Sequence, residues 1–259
     1  MYRRSGYDDS IMNVPFQGMS MGTPPVISGP QDPALARALE TSGTALLRNL
    51  DPSTPDELLR VGEILGGFET GIEEELLGAR IMHLRYDPVK IAPGQKPAYF
   101  TADHFALHTD VSYVPNPPRY MLLHCVHPDP GGGGSSQLAD CDAAFALLDE
   151  SDRAVLTQKV FRFIYPPNCA VGESEPFAIR EQAIWRFKYT SMRIPEFAIG
   201  AVERFHQALT DVSELLLLTR GDLLVVDNHR IAHGRTTFGR PGPGLPERHL
   251  MRLYATTSG

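Results

Sequence analysis

Beyond about residue 78 the apolar residues come in short runs separated by Pro and Gly, at 79–86, 120–126, 159–165, 223–226 and 250–255. Many short strands punctuated by turns predict a mainly β sandwich or barrel, because each run is too brief to bury a helical face but long enough to cross a sheet. Two helices interrupt the strands, over 142–148 and 195–212, the second with Phe197, Ala201, Phe205, Ala208 and Leu209 on one face. Before residue 78 the pattern is different. Apolar residues at helical spacing predict a helix over 32–41, a strand follows at 45–50, and Ser53 or Thr54 is placed to cap a second helix over 55–65. Residues 1–30 are Gly-, Pro-, Ser- and Met-rich without periodicity and are expected to form an irregular arm. No repeat is present and the run Gly131 to Gly134 is too short for a linker, so 31–259 is expected to be a single domain.

Composition narrows the function. With 42% hydrophobic residues in 259 the chain can bury a core, and 24 Lys and Arg against 31 Asp and Glu leave a net charge of −7. That is no field for gathering phosphates, which argues against nucleic acid or an anionic membrane as partner. The three cysteines, Cys125, Cys141 and Cys169, are odd in number and lack Cys-x-x-Cys spacing, which argues against a disulfide scaffold and suits a reducing compartment. The start of the chain is expected to lack a secretory h-region, and pure aliphatic runs such as Leu215 to Leu218 are far shorter than the about 20 residues needed to span a bilayer. The expectation is a soluble, cytoplasmic protein acting on a small molecule, with a homo-oligomer left open.

Nine histidines are the natural place to look for chemistry. His108-Thr109-Asp110 puts an imidazole and a carboxylate two residues apart, on one side of a strand that runs on to Tyr113. The same pattern at His127-Pro128-Asp129 sits among prolines and is expected to be a turn. His104 and His108 are four apart, but no Glu follows His104 as a His-Glu-x-x-His zinc helix requires. Downstream, the aliphatic run Leu223 to Val226 delivers Asp227 and Asn228, ordinary turn residues by type, and then His233. Arg248 and Arg252 follow near a core strand, where each must meet an anion. Together His108, Asp110 and His233 form the two-histidine, one-carboxylate set that binds non-haem Fe(II) on one face and leaves positions open. An arginine is then suited to hold the distal carboxylate of 2-oxoglutarate by a bidentate pair.

The order of these pieces resembles the taurine dioxygenase and clavaminate synthase superfamily of Fe(II)/2-oxoglutarate-dependent oxygenases, and in compact length carbapenem synthase. The matching segments are His108 to Tyr113 with Pro117-Pro118-Arg119-Tyr120, then Gly133-Gly134-Ser135-Ser136 leading to Asp140-Cys141-Asp142, then Gly221 to Asn228 through His233, and finally Arg248-x-x-x-Arg252. The resemblance implies a double-stranded β-helix, or jelly-roll, with N-terminal helices and a helical insert. It implies His108, Asp110 and His233 as iron ligands, Arg248 and Ser136 as the 2-oxoglutarate site and Arg252 facing the primary substrate. Ser136 stands where relatives usually carry Thr, and His229 where they commonly carry Arg, so the role of His229 is open.

The function implied is oxidation of an amino-acid-like or anionic natural-product metabolite by Fe(II), 2-oxoglutarate and molecular oxygen. Hydroxylation is the default outcome, with desaturation or ring closure within reach of such chemistry. Two rivals share the scaffold. A jelly-roll zinc hydrolase would use the same three ligands but has no need of Arg248 beside Ser136. A non-catalytic anion-binding jelly-roll would have no reason to keep the ligands. Arg252 has internal acids within sequence reach, Asp103 and Asp227, as alternatives to a substrate anion. Trp185 and Tyr189 are expected as core or rim aromatics, and Cys141 as an inert buried thiol.

Overall fold

The computed structural model describes residues 22–67, 81–87, 100–166, 171–240, 242 and 247–256. In chain order the elements are β1 (Val26–Ile27), α1 (Ala34–Ser42), β2 (Thr44–Leu47), α2 (Asp56–Ile64), β3 (Met82–Arg85), β4 (Phe105–His108), β5 (Tyr120–His127), β6 (Ser136–Asp140), α3 (Cys141–Ala146) and α4 (Glu150–Leu156). They continue with β7 (Arg162–Phe163), β8 (Arg180–Glu181), β9 (Ile184–Trp185), β10 (Met192–Arg193), α5 (Ile199–Asp211), β11 (Glu214–Leu216), β12 (Leu223–Asp227), β13 (Ile231–Arg235) and β14 (His249–Ala255).

Two sheets face each other. The major sheet runs β1-β2-β12-β5-β14-β3 and the minor sheet β11-β6-β13-β4, the jelly-roll arrangement expected. Strand β12 lies in the middle of the major sheet, and every one of its residues is buried. Leu224 and Val226 point into the core between the sheets, while Leu223 and Val225 point outward under the N-terminal helices. A strand covered on both faces must be aliphatic throughout, which is why its sequence reads as an unbroken apolar run. Helix α1 buries Leu35, Ala38 and Leu39 against that outer face and stops at Gly43, where φ is 70°. A Cβ there would lie 2.7 Å from Ile231 Cγ1, so the turn from α1 into β2 requires glycine. The insert α3–α5 packs on the minor sheet through Phe145, Leu156, Val202, Phe205 and Leu209.

Several expectations change in detail. Within the segment read as an arm, Val26–Ile27 pairs parallel with β2, and Leu46 N–H donates to Pro25 O at 2.9 Å; residues 1–21 lie outside the described set. The 195–212 helix begins only at Ile199, and Phe197, in the 3₁₀ turn before it, is 63% exposed instead of facing the core. The strand at 159–165 shrinks to β7, because Phe161 and Ile164 form only isolated bridges. Helix α2 starts behind Pro55, and of the two capping candidates Thr54 is the one that serves: its Oγ1 accepts from Asp56 N–H at 3.4 Å. Among the described residues no helix is long and apolar enough to cross a membrane.

Candidate functional site

The minor sheet brings the two histidines together by register. Strands β13 and β4 are antiparallel, and His233 and His108 are direct Cα partners whose rings lie 4.6 Å apart. Asp110 closes the set: His108 Nε2 is 3.3 Å from its Oδ1 and His233 Nε2 is 3.2 Å from its Oδ2. The three donor atoms lie within 4.8 Å of one another and all three residues are buried.

The route to this geometry differs from the strand-edge arrangement expected. Strand β4 ends at His108, and the chain turns immediately, with Val111 at φ 56°. Asn228 makes the turn possible. Its Oδ1 accepts from Asp110 N–H at 2.7 Å, and its Nδ2 donates to Asp110 O at 3.1 Å and to Pro118 O at 2.9 Å. Asn228 is therefore not an ordinary turn residue but a fully buried clamp on the carboxylate's backbone. Beside it His229 Nε2–H donates to Pro117 O at 2.8 Å, which gives this residue a role in holding the same loop.

The donor set suits a cation. His108 Nδ1–H donates to Ala106 O at 2.9 Å, and burial pushes the imidazole down to about 4, so near neutrality its single proton sits on Nδ1. The Nε2 lone pair then faces a carboxylate oxygen with no proton between them, an arrangement that a divalent metal would relieve. Burial opposes ionisation of Asp110, but the Arg252 guanidinium and His233 outweigh it and hold the carboxyl well below its ordinary range.

The major sheet supplies arginines to the same cavity, which is lined by the triad with Ser136, Arg235, Arg248, Arg252 and apolar residues that include Phe105, Met121 and Leu250. Arg248 is 6% exposed, pushed down to about 10 by burial, and no carboxylate among the described residues pairs with it. Its Nη2–H donates to Gly134 O at 3.2 Å, and a Cβ on Gly134, at φ 70°, would lie 2.5 Å from Arg248 Nε. The seat of this guanidinium thus depends on glycine. Arg252 behaves differently: Nη1 lies 3.2 Å from Asp110 Oδ2. The internal acids expected for it are elsewhere, Asp227 beside Arg119 at 3.6 Å and Asp103 beside Arg240 at 4.0 Å. Arg235 received no role from the sequence. It is buried, lines the cavity and donates to Thr101 O and Asp103 O, tying the entry to β4. Its position two residues after His233, on the same face of β13, is the signal that would have found it.

Among the other expectations, His104 is exposed and outside the cluster, Trp185 is core and Cys141 is a buried thiol raised well above its ordinary range by burial; His127, expected in a turn, is instead the last residue of β5, paired with His249, and the chain leaves the sheet only at Pro128.

Comparison with known proteins identifies the family. Clavaminate synthase 2 of Streptomyces clavuligerus is 29% identical over 160 residues, 58% of this chain and 49% of the relative. Enduracididine beta-hydroxylase of Streptomyces hygroscopicus is 25% identical over 206 residues, 67% of this chain and 59% of the relative. The match thus spans about half to three-fifths of the length of these relatives. Among solved structures, asparagine oxygenase in complex with Fe(II), 2S,3S-3-hydroxyasparagine and succinate superposes with a TM-score of 0.74 at 20% identity, covering 86% of this chain and 78% of that one. The non-heme iron oxygenase OrfP, in complex with Fe, succinate and (3S)-hydroxy-L-Arg, gives 0.70 at 16% identity, covering 86% and 77%. The family model described as taurine catabolism dioxygenase TauD, TfdA family matches residues 12–254, and the chain belongs to that family.

Proposed function

We propose that the protein is an Fe(II)- and 2-oxoglutarate-dependent dioxygenase acting on a small, amino-acid-like or anionic natural-product metabolite. His108, Asp110 and His233 would hold Fe(II). Bound there, the metal with 2-oxoglutarate and molecular oxygen supplies a two-electron oxidation of an unactivated carbon, with succinate and carbon dioxide as co-products. The observation that carries the reading is Arg248, a buried guanidinium that no carboxylate among the described residues pairs with, in the same cavity as the three donor groups. An unpaired buried cation costs on the order of several kcal/mol. The distal carboxylate of 2-oxoglutarate is the anion that removes this cost, paired bidentately with Arg248 and accepting from the Ser136 hydroxyl. A zinc hydrolase has no use for such a group.

Arg252 holds the Asp110 carboxylate in its ionised, metal-binding form, and its guanidinium borders the cavity where the anionic group of the primary substrate would lie. Asn228 fixes the backbone of Asp110, and the apolar lining excludes water from the reacting carbon. Hydroxylation is the expected outcome. The relatives include a hydroxylase and, at 25% identity, the tyrosine isonitrile desaturase of Pseudomonas aeruginosa, so desaturation is the alternative outcome of the same machinery. Anaerobic reconstitution with Fe(II) and 2-oxoglutarate, followed by oxygen exposure across a metabolite panel, should yield succinate dependent on substrate. Activity with Zn(II) and without 2-oxoglutarate would overturn the assignment.

A further inference from the structure

The outer face of the major sheet carries a second set of imidazoles that the triad does not use. On β14 the residues that point outward are Met251, Leu253 and Ala255, which pack under the N-terminal helices, and His249 continues the same alternation at the start of the strand. On β3, the edge strand, His83 is the register partner of Met251 and Arg85 the partner of His249. His83 and His249 are therefore diagonal neighbours, and His83 Nδ1 and His249 Nε2 stand 2.8 Å apart, with ring centroids at 5.0 Å. A third imidazole, His127 of β5, is the register partner of His249 on its other side. His83 and His127 are exposed.

We infer that His83 and His249 form a second, solvent-facing site for a divalent transition metal, separate from the buried triad and selective for ions that favour right-angled ligands. At a metal–nitrogen bond of about 2.0–2.1 Å, two nitrogens separated as these are subtend about 85°. That is the angle between neighbouring ligands in square-planar or octahedral Cu(II) and Ni(II), and well short of the about 109° of tetrahedral Zn(II). Burial, then His83, Arg85 and His127, push His249 down to about 4, so it is neutral near pH 7. To take the ion, the proton that now joins the two rings moves to the other nitrogen of its own ring, and each ring turns so that its lone pair leaves the N···N line for the metal; no proton is lost. Arg85, the described cation that lowers His249, pairs with Glu247 at 3.8 Å.

Occupancy would tie β3 to β14. The inner face of β3 is part of the cavity wall: Met82 Sδ is 3.3 Å from Arg252 Nη2, and Leu84 lines the pocket. A metal on the outside thus fixes a strand that shapes the inside.

The test is titration of the metal-free full-length chain with Cu(II), read by equilibrium dialysis and electron paramagnetic resonance. The chain should bind one ion at the triad and a second whose spectrum shows coupling to two imidazole nitrogens. H83Q should lose the second ion and keep the first, and H233A should do the reverse. Ni(II) should bind the outer site more tightly than Zn(II). In H233A, Cu(II) should also slow amide exchange over Met82–Arg85, a readout that does not need the H83Q variant to fold. Retention of the second ion by H83Q, tighter binding of Zn(II) than Ni(II) in H233A, or unchanged exchange at β3 would overturn the inference.

Discussion

Strands β13 and β14 both turn polar side chains into the cavity, but they leave opposite electrostatic problems. On the minor sheet, β13 with β4 gathers two imidazoles around one carboxylate, each within about hydrogen-bond reach of it, with the His108 lone pair facing an anion. That donor set favours a metal cation. On the major sheet, β14 and the residue before it bring two guanidiniums, one leaning on the same carboxylate and one with no acid among the described residues. That guanidinium favours an anion. The proposed pairing of a divalent metal with a chelating keto-dicarboxylate would answer both preferences at once.

The largest effects should come from breaking the minor-sheet side. His108→Ala, Asp110→Ala and His233→Ala are each expected to reduce succinate formation to background while the chain keeps its far-ultraviolet circular dichroism. Turnover surviving in any of the three would remove that residue from the ligand set. Asn228→Ala should come next, lowering metal affinity or activity by about 10–100-fold as loss of an outer-shell partner typically does. An Asn228→Ala protein whose Co(II) affinity equals that of the parent would show that the turn at Val111 holds Asp110 without help.

The major-sheet side is sharpened by Arg248. Arg248→Lys should raise the KM for 2-oxoglutarate on the order of tenfold, more than Arg252→Lys does, because an ammonium cannot reproduce a bidentate pair. Arg248→Met should abolish 2-oxoglutarate binding yet raise the melting temperature of the apo protein, since it removes a buried charge that no acid among the described residues pairs with. A lowered melting temperature would mean that the guanidinium is satisfied internally and the contrast between the sheets is false.

Acid sensitivity tests the burial on which both sides depend. His108, His124, His206, His229 and His249 are all pushed down mainly by burial, His108 and His249 to about 4. Unfolded histidines bind protons below about 6.5, whereas these remain neutral in the native state. The stability is therefore complete above about pH 6.5 and is lost as the pH falls toward about 4. Thermal melts across that window should show the decline, and a flat profile would contradict the burial. The smallest change concerns the outer layer: His124 is fully buried and neither ring nitrogen has a partner. His124→Leu should stabilise by about 1 kcal/mol and flatten the upper part of the acid decline, measurable by urea unfolding at pH 7 and pH 5.

Much of this molecule was written in the chain. The unbroken aliphatic run of β12, the helical spacing in α1 and the Pro/Gly punctuation specify which segments become strands and helices, because burial on one face or two leaves a local period. The donor types at 108, 110 and 233 and the arginines at 248 and 252 were legible for a similar reason: buried charge and imidazole in apolar surroundings demand partners. What the tertiary structure decided is who those partners are. Asn228 holds Asp110 across a sequence separation of 118 residues, His83 meets His249 across 166, and Arg252 reaches Asp110 across 142. Such pairings depend on strand register and on a turn at positive φ, and a one-residue slip would face every one of these side chains the other way. Local sequence specifies the demand for a partner, while only the packed sheets bring that partner within reach.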